Sequence, residues 1–363
     1  MREKLDDRPL GMTTAQFGER LMAVSDAASS AGATTMGAAK IEISRLSFGG
    51  APVGNLYASV DEDTAIAAIA QAHQQGIRHF DTAPYYGYGL SEQRLGTALA
   101  TLDRDSYTLS TKVGRLIENH TGRVDRADGF AVDHRGVRFD YSRDGVLRSI
   151  EASLARLGTD HVELLLLHDV GALTHGARHR EILQQALDEA LPTMAELRSQ
   201  GVCHAIGLGV NEEAVCLDVM RHFPLDAIML AGRYTLFEQQ DSHAVMAEAR
   251  ARGVTILAAG PYNSGLLGGT DGPGQFYNYR PAEQETLLRA RRFYEICANV
   301  GVDVGAVALQ FPLAHPAVAS VVCGLRSPAE VDSAVDRMGT HLPVAIWPAL
   351  REAGLLCADV PTP

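Results

Sequence analysis

The chain reads as one closed (β/α)8 barrel of the TIM type. Three observations predict it. Eight short apolar runs alternate with longer amphipathic ones after residue 41. Such alternation demands a parallel sheet covered by helices, and a count of eight favours closing it into a barrel. The glycine fingerprint of an open dinucleotide-binding sheet is absent. Its nearest match, Gly87-Tyr88-Gly89-Leu90-Ser91-Glu92, lacks the third glycine and follows the second apolar run, not the first. Finally, 363 residues with 46% apolar side chains suit a single barrel with long connections.

The predicted strands are 46–49, 78–82, 107–112, 162–168, 204–209, 227–231, 254–259 and 318–324. Helices are expected to start near 61, 91, 143, 182, 212, 241 and 328, with a longer helical region over 283–315. Asp61 and Ser91-Glu92 are helix-start signals. Gly76, Gly158, Gly201 and Gly253 stand where a helix must end and turn into a strand. Residues 1–40 read as a flexible leader, with a short helix around 15–28, ahead of a barrel over 41–363. The segment 27–39, AASSAGATTMGAA, is small and of low complexity. The leader has no apolar stretch for a secretory signal and is too acidic for a transit peptide.

Composition narrows the function classes. A net charge of −12 argues against nucleic acid and anionic membranes as partners. The longest apolar runs, such as 162–167, fall far short of the ~20 residues a membrane helix needs. Five cysteines without a Cys-x-x-Cys pair argue against a disulfide framework or zinc site and fit the cytoplasm. His175 and His179 have metal-ligand spacing, but no third ligand accompanies them, and no metal is expected. No heptad pattern marks an oligomer interface. A small-molecule substrate is the expected partner.

Two connections exceed ordinary length, 113–142 and 261–281. Both follow strands, on the face where a barrel carries its active site, and are expected to shape a substrate pocket. The strand ends on that face present Asp81, Lys112 and His168, with Tyr85 and Tyr86 in the loop after Asp81. Singly, each suits a packing or surface role. Together they form an acid–base site: an ammonium favours phenolate over phenol, a carboxylate orients the ammonium, and an imidazole meets the substrate oxygen.

At these residues the sequence resembles the aldo-keto reductases. The matching stretches are GIRHFDTAPYYGYGLSEQRLG (76–96), LSTKVGR (109–115) and LLLLHDV (164–170). The resemblance implies a catalytic tetrad of Asp81, Tyr86, Lys112 and His168, with Tyr86 as general acid/base. It also implies a nicotinamide dinucleotide lying across the barrel mouth. FGGAPVGNLY (48–57), NSGLLGG (263–269) and IWPALREAGLL (346–356) are similar to a branch that oxidises aldoses, L-fucose among them, or pyridoxal. The function so implied is aldose 1-dehydrogenation of a cyclic hemiacetal to a lactone. The alternatives are pyridoxal oxidation, NADPH-dependent aldehyde or ketone reduction and, less so, a non-enzymatic nicotinamide-binding subunit.

The same resemblance assigns the cofactor contacts to Asn211, to Pro261, Asn263, Ser264, Gly265 and Leu267, and to Gly324, Arg326, Ser327 and Glu330. Family members stack an aromatic ring on the nicotinamide where this chain has Ala259. Glu330 stands where NADP-specific members carry a basic residue, so NAD is expected, with NADP open through Arg326. Candidate substrate contacts are Tyr57, His134, Arg233 and Tyr279.

Overall fold

Eight parallel strands close into a barrel in the computed structural model, which describes residues 34–36, 40–119, 129–132 and 135–363. In chain order the strands are β1 (Thr34–Met36), β2 (Ile41–Ile43), β3 (Leu46–Gly49), β4 (His79–Asp81), β5 (Thr108–Val113), β6 (Arg115–Asn119) and β7 (Arg135–Phe139). There follow β8 (Val162–His168), β9 (Cys203–Val210), β10 (Ala227–Ala231), β11 (Thr255–Ala259), β12 (Phe276–Tyr277), β13 (Arg280–Pro281) and β14 (Val318–Gly324). The ring runs β3-β4-β5-β8-β9-β10-β11-β14 and back to β3. Four of the predicted strands, β3, β8, β10 and β14, match residue for residue. The other four differ by a residue or so at their ends. At Arg78, for example, the backbone N–H goes to Ser44 Oγ (3.0 Å).

The expected leader is not all tail. Thr34–Met36 pair antiparallel with Ile41–Ile43, and Thr34 Oγ1 donates to the Ala319 carbonyl at 2.9 Å. Met36, Ile41 and Ile43 are buried with Leu164, Leu166, Met229 and Leu257 inside the barrel. A small barrel must fill its interior with side chains, and this hairpin floors the end where the strands begin. Three alternating apolar residues after a run of small ones are too few to betray a strand. Residues 1–33 and 37–39, including the expected helix around 15–28, lie outside the described residues.

The first long connection is largely a hairpin, β6 with β7, and the second carries the short hairpin of β12 with β13. The helical region after residue 283 is three pieces: Gln284–Val300, Val304–Gln310 and a 3-10 turn over Phe311–Ala314. It breaks because Gly301 adopts φ +79° and Asp303 caps a new helix through Gly305 N at 3.1 Å. A further helix, Ile346–Glu352, buries Trp347 near Phe311. His175 and His179 do not share one helix, because Ala172–His175 ends before a 3-10 turn and His179–Gln185 starts anew. Among the described residues no cluster of His, Cys, Asp and Glu could hold a metal ion, and no single helix is long and apolar enough to cross a membrane.

Outside the barrel, α2 (Leu90–Leu99, following α1, Glu62–Gln74) and α3 (Arg143–Leu157) are tied to β5 by one carboxylate. Glu92 is fully buried; it accepts Thr111 Oγ1 at 2.8 Å and Arg156 Nε at 2.6 Å. Removing one partner of a buried ion pair strands the other. Glu92→Ala is therefore expected to lower stability by about 3–5 kcal/mol in urea unfolding. Arg156→Met should cost less, because the carboxylate it leaves behind keeps its hydrogen bond from Thr111 Oγ1.

Candidate active site

Side chains alternate along a strand, so every second residue of β4, β5 and β8 points into the barrel. Asp81 pairs in register with Ser110, and Lys112 with Leu166. Inward-facing Ser110 and Lys112 therefore stand one above the other, beside His79 and Asp81 on one side and Leu166 and His168 on the other. The strand ends thus bring Asp81, Lys112 and His168 to one layer at the mouth.

Tyr86 reaches that layer through a tight turn. The carbonyl of Gly54 approaches Gly87 so closely that a Cβ on Gly87 would lie 2.3 Å from it, and Gly87 has φ +63°. Only glycine allows both. The close approach locks the loop after β3 to the loop after β4 and sets Tyr86 over the strand ends. The Lys112 ammonium lies 4.6 Å from the centre of the Tyr86 ring, and the His168 ring stands edge-on to it at 6.0 Å.

Lys112 Nζ donates to both oxygens of Asp81, at 2.8 and 2.7 Å, and to the Thr82 carbonyl at 2.8 Å. Each group is about 2% exposed. Burial pushes the Asp81 carboxyl up and the Lys112 ammonium down, and each opposes the shift of the other. Tyr86 departs from the sequence-based expectation. Burial, reinforced by Asp81 and Asp169, raises its phenol well above the usual value, and Arg115 opposes this only in part. The phenol is held protonated at neutral pH. Burial also drives His168 well below the ordinary imidazole value, with Arg115 and Lys112 adding to the effect. Its Nδ1 is buried without a partner among the described residues. Because buried N–H groups are rarely left orphaned, the proton belongs on Nε2.

Beneath the tetrad runs a hydrogen-bonded chain that sequence reading missed. Ser320 and Ser47 hydroxyls lie 2.6 Å apart; Ser47 Oγ is 2.9 Å from His79 Nδ1, and His79 Nε2 is 3.0 Å from Ser110 Oγ. Ser110 Oγ donates to Asp81 Oδ1 at 2.7 Å. Only a neutral His79 can accept from Ser47 and donate to Ser110 at once.

Three more residues close around the tetrad. Arg115 pairs with Asp169, and its guanidinium lies 3.9 Å from the centre of the Tyr85 ring. Tyr141 Oη donates to the carbonyls of His168 and Asp169, at 2.8 Å each, and meets His175 Nε2 at 3.0 Å. His175 is thus part of the frame of the site and not a solvated surface residue. The one signal for this group was an Asp directly after the strand-end His.

The expected cofactor contacts fall on one side of the mouth. Asn263, Ser264 and Gly265 have φ of +47°, +62° and +88°. Among the described residues the amides of Ser264 and Gly265 have no hydrogen-bond partner. Successive free amides in such a turn make an anion cradle, and the helix Pro328–Gly339, capped by Ser327, offers a second. These residues fit a dinucleotide phosphate. Tyr57 lies against Ser264 and within reach of the Arg326 charge, which joins the two cradles. Gly324 ends β14 and packs on Pro52.

Other expected contacts are engaged elsewhere. The Asn263 side chain accepts from Thr235 at 2.7 Å and donates to the Gly232 carbonyl at 3.2 Å, so only its backbone faces the cradle. Leu267 and Pro261 are buried, Leu267 in the core. Asn211 has its carbonyl taken by Arg233 Nε at 2.7 Å. Arg233 also donates to Asn278 at 3.0 Å, and it lines a separate depression of about 390 Å³ with Glu212 and Tyr277. Glu330 pairs with Arg326 at 3.0 Å and accepts the Arg326 amide at 2.9 Å. Tyr279 hangs over the mouth, where it feels Tyr86, Tyr57 and Asp169. His134 lies outside the described residues.

Comparison with known proteins agrees with this fold. The sequence profile described as "Aldo/keto reductase family" matches residues 45–353. The chain is 38% identical to D-threo-aldose 1-dehydrogenase of a Pseudomonas species, over 90% of this chain and 97% of that protein. It is 37% identical to pyridoxal 4-dehydrogenase of Microbacterium luteolum, over 88% of this chain and 97% of that protein. Among solved structures, an aldo-keto reductase of Bacillus halodurans in its holo form superposes with a TM-score of 0.68 at 26% identity, covering 90% of this chain and 97% of that one.

Burial pushes His79 down to about 3, whereas an unfolded histidine takes a proton near 6.5. Between those values the unfolded chain binds more protons, so this contribution to stability is full above pH 6.5 and is lost as the pH falls toward 3. Urea unfolding from pH 6.5 downward is expected to show His79→Asn with a flatter dependence, by up to about 1.4 kcal/mol per pH unit.

Proposed function

The chain belongs to the aldo/keto reductase family, and we propose that it oxidises the cyclic hemiacetal of an aldose to a lactone, with NAD as the acceptor. That it is a nicotinamide-dependent oxidoreductase acting on CH–OH or carbonyl groups follows from the family and its dehydrogenase relatives. The observation that carries the finer reading is Tyr86 set over a buried Lys112–Asp81 pair, beside a neutral His168. The 38% identity to an aldose 1-dehydrogenase supports the substrate class.

When bound, the dinucleotide would supply the hydride acceptor; the phosphate cradles at Ser264-Gly265 and Ser327 would hold it. The chain's own part is proton handling. His168 Nε2 donates to the anomeric hydroxyl oxygen and orients it. Tyr86 Oη, once deprotonated, takes the hydroxyl proton. Lys112 stabilises the phenolate through its charge, and Asp81 keeps Lys112 in place. The raised Tyr86 value makes oxidation favour alkaline conditions. Arg326 is already paired with Glu330, which supports a free 2′-hydroxyl over a 2′-phosphate. The five free thiols, four of them buried, suit a reducing cytoplasm.

Pyridoxal is the rival substrate, favoured by the 37% identity to the Microbacterium luteolum enzyme. NADH formation with L-fucose, L-galactose, D-arabinose and pyridoxal decides between them. The aldose reading expects turnover with at least one sugar, rising toward alkaline pH; turnover with pyridoxal alone would replace it. Tyr86→Phe is expected to lower kcat by roughly 10²–10⁴-fold and abolish the alkaline rise. Glu330→Gln frees Arg326 and is expected to raise the NADP-to-NAD ratio of kcat/KM about 2–5-fold, the scale of a half-exposed ion pair.

A further inference from the structure

Asp169 has features that the proton chemistry does not use. It directly follows His168 and has φ +47°, a left-handed conformation uncommon for a residue with a side chain. The backbone is held there from both sides. Its N–H donates to the Gly209 carbonyl at 3.1 Å, and its carbonyl accepts from Tyr141 Oη at 2.8 Å and lies 2.9 Å from His175 Nε2. Such over-determined strain gathers at ligand sites. The result is to turn the carboxylate back toward the mouth, where Oδ2 lies 3.4 Å from His168 Nε2 and pairs with Arg115. Oδ1 accepts no hydrogen bond from any described residue. The Arg115 guanidinium is clamped between the rings of Tyr85, at 3.9 Å, and Phe139, at 4.9 Å, and its Nε has no partner among the described residues.

A largely buried carboxylate with one oxygen that no described residue meets seeks a donor, and the clamped guanidinium of Arg115 holds that carboxylate in place. A ligand hydroxyl at the mouth supplies the donor. The site lies within electrostatic reach of the Tyr86 phenol and beside the imidazole that meets the reacting oxygen. We propose that Asp169, held in place by Arg115, binds the hydroxyl on the carbon next to the one oxidised, and so selects 2-hydroxylated aldoses over substrates lacking that group. This assignment rests on the aldose reading above. A site built to hydrogen-bond a hydroxyl rejects the analogue lacking it, because its own polar groups are then left unpaired.

The test compares L-fucose with 2-deoxy-L-fucose, and D-arabinose with 2-deoxy-D-ribose, in wild type and Asp169→Asn with NAD. Asparagine tolerates the left-handed backbone, so this variant is suited to keep the fold; near-UV circular dichroism and NAD affinity check it. Wild type is expected to prefer the hydroxylated sugar by about 10- to 100-fold in kcat/KM, the scale of one charge-assisted hydrogen bond. In Asp169→Asn that preference should fall toward unity, with the loss carried mainly in KM. Arg115→Lys keeps the charge but loses the fork, and should narrow the preference in the same direction. Equal use of the deoxy sugars by wild type would overturn the assignment. So would a variant that loses kcat while retaining the preference, since that marks a purely structural role. Failure of wild type to oxidise any sugar would sink the aldose reading first, and this one with it.

Discussion

Everything at the mouth of this barrel is arranged around one buried ion pair. Lys112 and Asp81 sit almost fully inside the protein, where two charges are tolerable only if each satisfies the other and the remaining donors and acceptors are met. The strands meet that condition. Thr82 supplies a carbonyl to the ammonium, Ser110 a hydroxyl to the carboxylate, and neutral His79 backs Ser110 from below. The barrel interior under the site is therefore a polar column between β14, β3, β4 and β5. The apolar filling of Leu164, Leu166, Met229 and Leu257 lies with the flooring hairpin.

That column explains why Tyr86 can be chemically useful without being acidic at rest. Its ring lies against the ammonium, yet burial and two nearby carboxylates keep its proton on. A ligand that neutralises Asp169 or adds a positive charge nearby would shift the phenol toward release. Acid–base competence thus belongs to the loaded site more than to the bare one.

The sequence exposed the barrel because eight strand-like runs and their helices have unmistakable periods, and because strand ends in this fold face one way. That Asp81, Lys112 and His168 meet in one layer was legible for the same reason: each stands at or next to the end of a strand-like run. The rest was hidden by physics that spacing does not encode. Half of the hairpin that floors the barrel, Thr34–Met36, comes from a leader whose composition suggests a tail. Asn263 reads as a ligand contact but serves as a loop brace through Thr235 and Gly232. Nothing in the sequence sets Arg115 apart; only folding puts it between Tyr85 and Phe139 and against Asp169. The expectation of a lowered Tyr86 phenol failed because proximity to Lys112 is visible in a motif, while the burial that outweighs it is not.

The flooring hairpin carries a consequence for anyone who handles this domain. The match to the family profile begins at residue 45, just ahead of β3, and a truncation at that boundary would cut away Met36, Ile41 and Ile43. Those three side chains are the stopper of the vessel. Without them the inner apolar lining of β8, β10 and β11 would open to water on the side opposite the mouth, inviting aggregation of a protein whose Asp81, Tyr86, Lys112 and His168 are all present. The smallest self-sufficient unit is thus longer than the stretch the family profile matches, and the surplus belongs to solubility, not to reaction.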